Sequence, residues 1–292
     1  MVLTIYLLII FATVTQSATT KLFNRQSNYS TVFNAIKSCT ALIFLALIAA
    51  FGFTLHLPTL GFGLLYGLCL CLSMYAGFKA LCLGPMALTS MLVSFSVLLP
   101  VLWGVTIGGE SLKPMQIAAF LFLGIAIVMT NADRFKGPAK SHASSSEQSL
   151  HYGIWLLFVG ITFLCNGVCS ILQKQHQTLY PEQYSREFMF FAMLLCSVVF
   201  LIVMLKRISP KDLKAVKGKG YGVLSGIANG AANLLTLILA GLENASLLFP
   251  IISAGTLLAS LLCGKVVFQE KLKWNHLVAL GMGLIATVLL KL

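Results

Sequence analysis

The acids of this chain lie in or beside the gaps between ten long apolar runs, as most of its basic residues do, and that arrangement identifies its solvent. Of 292 residues, 10% are charged and 58% are hydrophobic, whereas a soluble domain carries about 25% charged residues. With a mean hydropathy of +0.92, such a chain has too little polar surface to face water. All eight acids (Glu110, Asp133, Glu147, Glu182, Glu187, Asp212, Glu243 and Glu270) lie in or beside a gap. A bilayer imposes this, because a charge at mid-span is costly. The runs read as spans over residues 2–19, 32–53, 60–81, 87–107, 115–131, 152–172, 188–205, 221–240, 245–267 and 274–290. Each is close to the ~20 apolar residues that cross a hydrocarbon core. The first run lacks the basic leading segment of a signal peptide and is counted as a span. The fold expected is an all-α polytopic membrane protein with ten transmembrane helices, its partner the lipid bilayer.

The halves of the chain repeat each other. Gly-Phe-Gly-Leu-Leu-Tyr-Gly at 61–67 matches Gly-Tyr-Gly-Val-Leu-Ser-Gly at 220–226, and Glu110-Ser-Leu-Lys113 matches Glu270-Lys-Leu-Lys273. The same spacing sets Gly104 on Gly264 and Ala126 on Ala286. Earlier in each half, Gln16-Ser17 falls on Asn166-Gly167 and Lys37 on Glu187. This divides the chain into a first five-helix repeat over 1–131, a polar linker over 132–150 and a second repeat over 151–292. Five is odd, so the second repeat enters the membrane from the opposite side. Inverted repeats are the usual architecture of alternating-access transporters, with the substrate site near the midplane.

The ten spans, Gly109-Glu110 before a final span, the matching Gln269-Glu270, Pro100 in the fourth span and Ala-Gly-Phe-Lys-Ala-Leu at 76–81 resemble the EamA-like branch of the drug/metabolite transporter superfamily. The resemblance covers nearly the whole chain, although Gln269 stands where the first repeat has glycine. It implies transport of small organic solutes.

Candidate site residues follow from what lipid forbids. An amide facing hydrocarbon is left without a partner, so Asn229 and Asn233, one turn apart, should face the interior, as should Gln16 and its repeat equivalent Asn166. Each could bond a neighbouring helix or line a polar cavity. Ser94 and Ser253 add hydroxyls in spans four and nine, where Pro100 and Pro250 could free backbone carbonyls. Lys37, in the second turn of span two, either snorkels to the interface or attracts an anionic or zwitterionic solute at the cavity edge. Gly63 and Gly67, and Gly222, Gly226 and Gly230, recur every four residues and should let helix backbones approach closely.

Other chemistries lack their residues. The eight cysteines lie within or at the edge of apolar runs, as small core residues do. The five histidines are scattered over interfaces and loops without metal-ligand spacing, and no phosphate-binding glycine loop follows a strand. The net charge of +12 sits mostly in connections between spans and shows no nucleic-acid surface. No metal or cofactor is expected, no catalytic residue is identified, and the oligomeric state stays open, a monomer included. The function expected is secondary transport of a small metabolite, amino-acid-like or another zwitterion or anion, by export or exchange rather than proton antiport. A non-transporting scaffold or a membrane enzyme is the alternative. Lys and Arg concentrate in the odd-numbered connections, which by the positive-inside rule puts both termini outside a cell membrane; the family resemblance puts both inside.

Overall fold

The computed structural model describes residues 2–27, 29–50, 52–83, 93, 95–111, 113–131, 145–209, 213, 215–267, 269 and 274–289. Among them are ten α-helices and no strand: α1 (Val2–Gln26), α2 (Ser30–Ala49), α3 (Leu57–Leu83), α4 (Leu98–Thr106), α5 (Pro114–Asn131), α6 (Ser145–Leu179), α7 (Ser185–Arg207), α8 (Lys219–Leu242), α9 (Ala245–Val266) and α10 (Trp274–Leu289). Seven helices hold a stretch long and apolar enough to cross a bilayer. Their outward faces confirm the solvent: Leu3, Leu7, Leu8 and Phe11 on α1, and Ile43 and Leu47 on α2, are at least half exposed. Faces of this kind are stable in lipid and aggregate in water. The chain is an integral membrane protein.

Two expectations are corrected. The sixth span does not stop at residue 172, because α6 runs on to Leu179 and carries buried polar side chains in its last two turns. Residues 145–150, expected in a flexible linker, are the first turns of the same helix. Pro100 stands in the first turn of α4, directly after a 3-10 turn over Phe95–Val97, where an amide N–H would lack a helical partner in any case. Ser94 lies outside the described residues.

The helices form two compact units, residues 1–71 with 172–243 and residues 72–171 with 244–292. Each draws on both sequence halves. In the first unit α8 packs against α1, α2 and α7, and α2 against α7. The glycine stripes make the close approaches. A Cβ on Gly226 would stand 2.5 Å from the Lys37 carbonyl oxygen, and one on Gly67 would stand 2.7 Å from that of Ala192. Gly222 and Gly230 face Ile36 and Phe44 of α2 in the same way, and Gly63 faces Phe188 of α7. Lys174 donates from Nζ to the carbonyls of Ala240 and Glu243, at 3.1 and 2.6 Å, which supplies a cation to the C-terminal carbonyls of α8.

In the second unit α9 packs against α4, α5 and α10, and α5 against α10. Leu123, Ile127, Ala254 and Ala286 form a buried core there. The start of α9 is held by a remote acid. Glu110 accepts the Ala245 N–H on one carboxylate oxygen at 2.8 Å and the Ser246 N–H on the other at 2.9 Å. Gly104 leaves room for it, since a Cβ there would stand 2.8 Å from Glu110 Oε2. Because the carboxylate sits at the positive end of the α9 dipole, Glu110→Ala should destabilise this helix start by ~1–2 kcal/mol. Hydrogen exchange at Ala245 and Ser246 checks it; unchanged protection of both amides would show that the carboxylate does not hold the helix.

Candidate functional site

A one-way hydrogen-bond chain crosses the interior of the first unit. Gln173 of α6 donates from Nε2 to the Tyr66 hydroxyl of α3 at 3.4 Å. Tyr66 donates to Asn233 Oδ1 at 2.8 Å. Asn233 Nδ2 donates to the Asn229 backbone carbonyl at 2.9 Å and to its Oδ1 at 3.2 Å. Asn229 Nδ2 ends the chain on the sulfur of Met193 of α7 at 3.8 Å. Helical periodicity explains the ordering: Asn229 and Asn233 are one turn apart and so share a face of α8. The last donor is poorly served, since a thioether is a weak acceptor. A carboxylate or carbonyl oxygen in that place would satisfy it better.

The other candidates fall as follows. Lys37 is half-buried on α2, with its carbonyl against Gly226 and its ammonium within electrostatic range of the Cys196 thiol of α7. Gln16 is half-buried on α1, one turn beyond Ala12, which packs on Ala228 and Ala232 of α8. Asn166 belongs to the second unit, where the buried Ser73 donates to its Oδ1 at 2.5 Å. Ser253 is half-buried on α9, also in the second unit; one turn on, the buried Thr256 hydroxyl has no hydrogen-bond partner. None of the four amides Gln16, Asn166, Asn229 and Asn233 is exposed.

Tyr66, Gln173 and Met193 are the participants that sequence reasoning passed over. Tyr66 was in view as the one hydrogen-bonding side chain in the 61–67 repeat block. Gln173 was hidden by a span boundary placed one residue too early.

A second polar cluster corrects the reading of the histidines. His176 is fully buried and joined to His56 through Thr59: His56 Nδ1 lies 2.9 Å and His176 Nε2 3.0 Å from the Thr59 hydroxyl. Gln177 sets the direction. Its Oε1 accepts the Glu182 N–H at 3.2 Å and its Nε2 donates to the Gln183 carbonyl at 3.4 Å, which fixes the amide. Nε2, which also donates to the Ser185 hydroxyl at 2.9 Å, faces His176 Nδ1 at 3.1 Å, and since an amide nitrogen cannot accept, Nδ1 is the acceptor there. With that ring nitrogen accepting, His176 is neutral and donates from Nε2 to Thr59, an assignment made from the network. Because the Gln177 amide cannot release its proton, the chain ends there and is no conduit. His56 also stacks on Tyr184 with centroids 4.3 Å apart. Among the described residues no three His, Cys, Asp or Glu side chains converge on a metal-sized site.

No protein-family model matches this chain, and no curated protein matches its sequence. A solved structure, titled only as the crystal structure of a protein, is similar to it with a TM-score of 0.78, covering 98% of this chain and 94% of that one at 17% identity. At that identity the likeness is one of fold alone.

Proposed function

We propose that the chain is a secondary transporter of the EamA-like kind, built as two inverted five-span repeats, that moves a small zwitterionic or anionic metabolite by alternating access. The observation that carries this reading is the chain Gln173–Tyr66–Asn233–Asn229, a neutral hydrogen-bonding set inside a membrane protein. It ends on a donor with a weak acceptor, and the Lys37 ammonium lies on a neighbouring helix. An ionisable residue within a membrane helix marks a functional-site candidate by default, which is the standing of Lys37 here.

Support for the repeat comes from the glycine stripes. Contacts at 63/188 and 67/192 advance together along α3 and α7, and contacts at 222/36, 226/37 and 230/44 advance together along α8 and α2. Spans three and eight are equivalent in the two repeats, as are spans two and seven. Each glycine-bearing helix therefore packs on the span-two or span-seven helix of the opposite repeat, the exchange a two-fold relation produces. It also accounts for a compact unit drawn from both halves.

The reading is tested with purified protein in vesicles loaded with a panel of labelled amino acids, carboxylates and amines. Counterflow of at least one zwitterion or anion is expected, and it should persist with a protonophore, because the cluster contains no acid. Strict dependence on a proton gradient would overturn the coupling assignment. No flux of any solute, with the protein folded, would favour a scaffold.

The positive-inside rule assigns the odd connections, rich in Lys206, Arg207, Lys217 and Lys219, to the cytoplasm and both termini to the outside. Single cysteines at Lys214 and Glu110 in a cysteine-free background check it. An impermeant thiol reagent on intact cells should label the Glu110 position and spare the Lys214 position, and the reverse pattern would establish the family orientation.

A further inference from the structure

The first unit holds a pair of thiols that the polar network does not use. Cys71 of α3 and Cys196 of α7 are both buried, with Sγ atoms 3.3 Å apart. The helix crossing builds this proximity. Phe188, Ala192 and Cys196 follow one another by single turns of α7, as Gly63, Gly67 and Cys71 do along α3. The two backbones meet at Gly63 and Gly67 because neither residue has a Cβ, and the next turn brings the sulfurs together.

The hydrogen bonds also have a direction. The Gly67 carbonyl oxygen, 3.4 Å from Cys196 Sγ, can only accept, so the Cys196 S–H points to it. The Cys71 S–H then points to Cys196 Sγ. Once Cys196 loses its proton, the Cys71 S–H already points at the thiolate. A thiolate so placed is the nucleophile of the pair.

We infer that Cys71 and Cys196 are an oxidisable dithiol, a modification site that hydrogen peroxide closes to a disulfide pinning α3 to α7. The Cys196 thiolate attacks one peroxide oxygen, the O–O bond breaks, and hydroxide leaves and takes up the thiol proton as water. The product is a sulfenic acid at Cys196. The Cys71 sulfur then attacks Cys196 Sγ, the S–S bond forms, the S–O bond breaks, and the hydroxyl departs with the Cys71 proton as a second water. Two thiols are oxidised and one peroxide is reduced. The sulfurs must close from 3.3 Å to about 2.05 Å. Tyr66 adjoins Gly67, so the bridge fixes the polar cluster's α3 member against α7. Slower solute flux in the oxidised protein would follow only if the transport reading holds.

The test is chemical and independent of that reading. The reduced full-length protein in detergent is exposed to hydrogen peroxide, alkylated with N-ethylmaleimide in denaturant, digested and mapped by mass spectrometry. The expected result is a linked Cys71–Cys196 peptide pair, with two of the eight cysteines losing alkylation and both regaining it after dithiothreitol. Full alkylation of both residues after peroxide, separate over-oxidation of each without linkage, or linkage through other cysteines would each overturn the proposal. Because the linked peptide is read on the unsubstituted chain, no variant has to fold.

Discussion

Replacing Gly226 with leucine should separate α8 from α2 and leave most of the protein unfolded or aggregated in detergent. A Cβ at this position would stand 2.5 Å from the Lys37 carbonyl oxygen and 2.7 Å from Thr40 Cβ. The first of these is backbone, which no rotamer change can move aside. Overpacking a well-packed core costs about 1–3 kcal/mol and occasionally more, and a backbone obstacle puts this site at the upper end. The same helix supplies its own control. A Cβ on Gly220 meets nothing within 4 Å, so Gly220→Ala should be neutral or add up to ~1 kcal/mol through helix propensity. Thermal unfolding followed by size-exclusion recovery separates the two variants. A Gly226→Leu protein as stable as the parent would mean that α2 and α8 do not meet in this way. Gly67→Leu should resemble Gly226→Leu, because its obstacle is the Ala192 carbonyl, whereas Gly61→Leu should behave like the control, since nothing lies within 4 Å of its added Cβ.

The second large effect is on activity. Asn233→Leu removes the acceptor of the Tyr66 hydroxyl and both donors to Asn229, which disconnects the chain in its middle. Interhelical hydrogen bonds in membranes average about 0.6 kcal/mol, with a maximum near 1.7, so the protein should fold. If the cluster binds solute, losing one or two hydrogen bonds worth about 0.5–1.5 kcal/mol each should reduce exchange in vesicles about tenfold. Tyr66→Phe deletes one hydroxyl from the same chain and should fall between the parent and Asn233→Leu. A scaffold would show the opposite pattern, with a small loss of stability and no change in any flux. Equal exchange rates for parent and Asn233→Leu, measured with the solute that gives counterflow, would remove the cluster from the site.

Where along the chain the helices form was legible because lipid enforces it locally. Every backbone amide in hydrocarbon must bond within its own helix, so apolar runs bounded by charge could be read from residues in order. Ten helices fall within or over the ten runs among the described residues, seven of them long and apolar enough to cross a bilayer, and in the fourth run the α-helix covers only Leu98–Thr106. Errors lay at the ends, where composition changes gradually. The Gln173-Lys-Gln-His-Gln177 run looks like an interface by polarity, yet Gln173, His176 and Gln177 are buried in the last turns of α6, because their partners come from α3, from α8 and from the loop that follows.

Partner choice was not legible, because it depends on which surfaces meet after the spans assemble. The glycine stripes announced close packing, but that Gly67 faces Ala192 while Gly226 faces Lys37 was decided by the tertiary structure. The amides Asn229 and Asn233 were legible from helical spacing and from the penalty of exposing them to lipid. Their joining with Tyr66, Gln173 and Met193 was not, since those residues come from three other helices and share no local pattern. By itself the sequence determined a membrane solvent, the helices and the polar groups that must turn inward. Only the tertiary structure decided which of those groups meet, because a side chain's hydrogen-bond partner is set by distance in space.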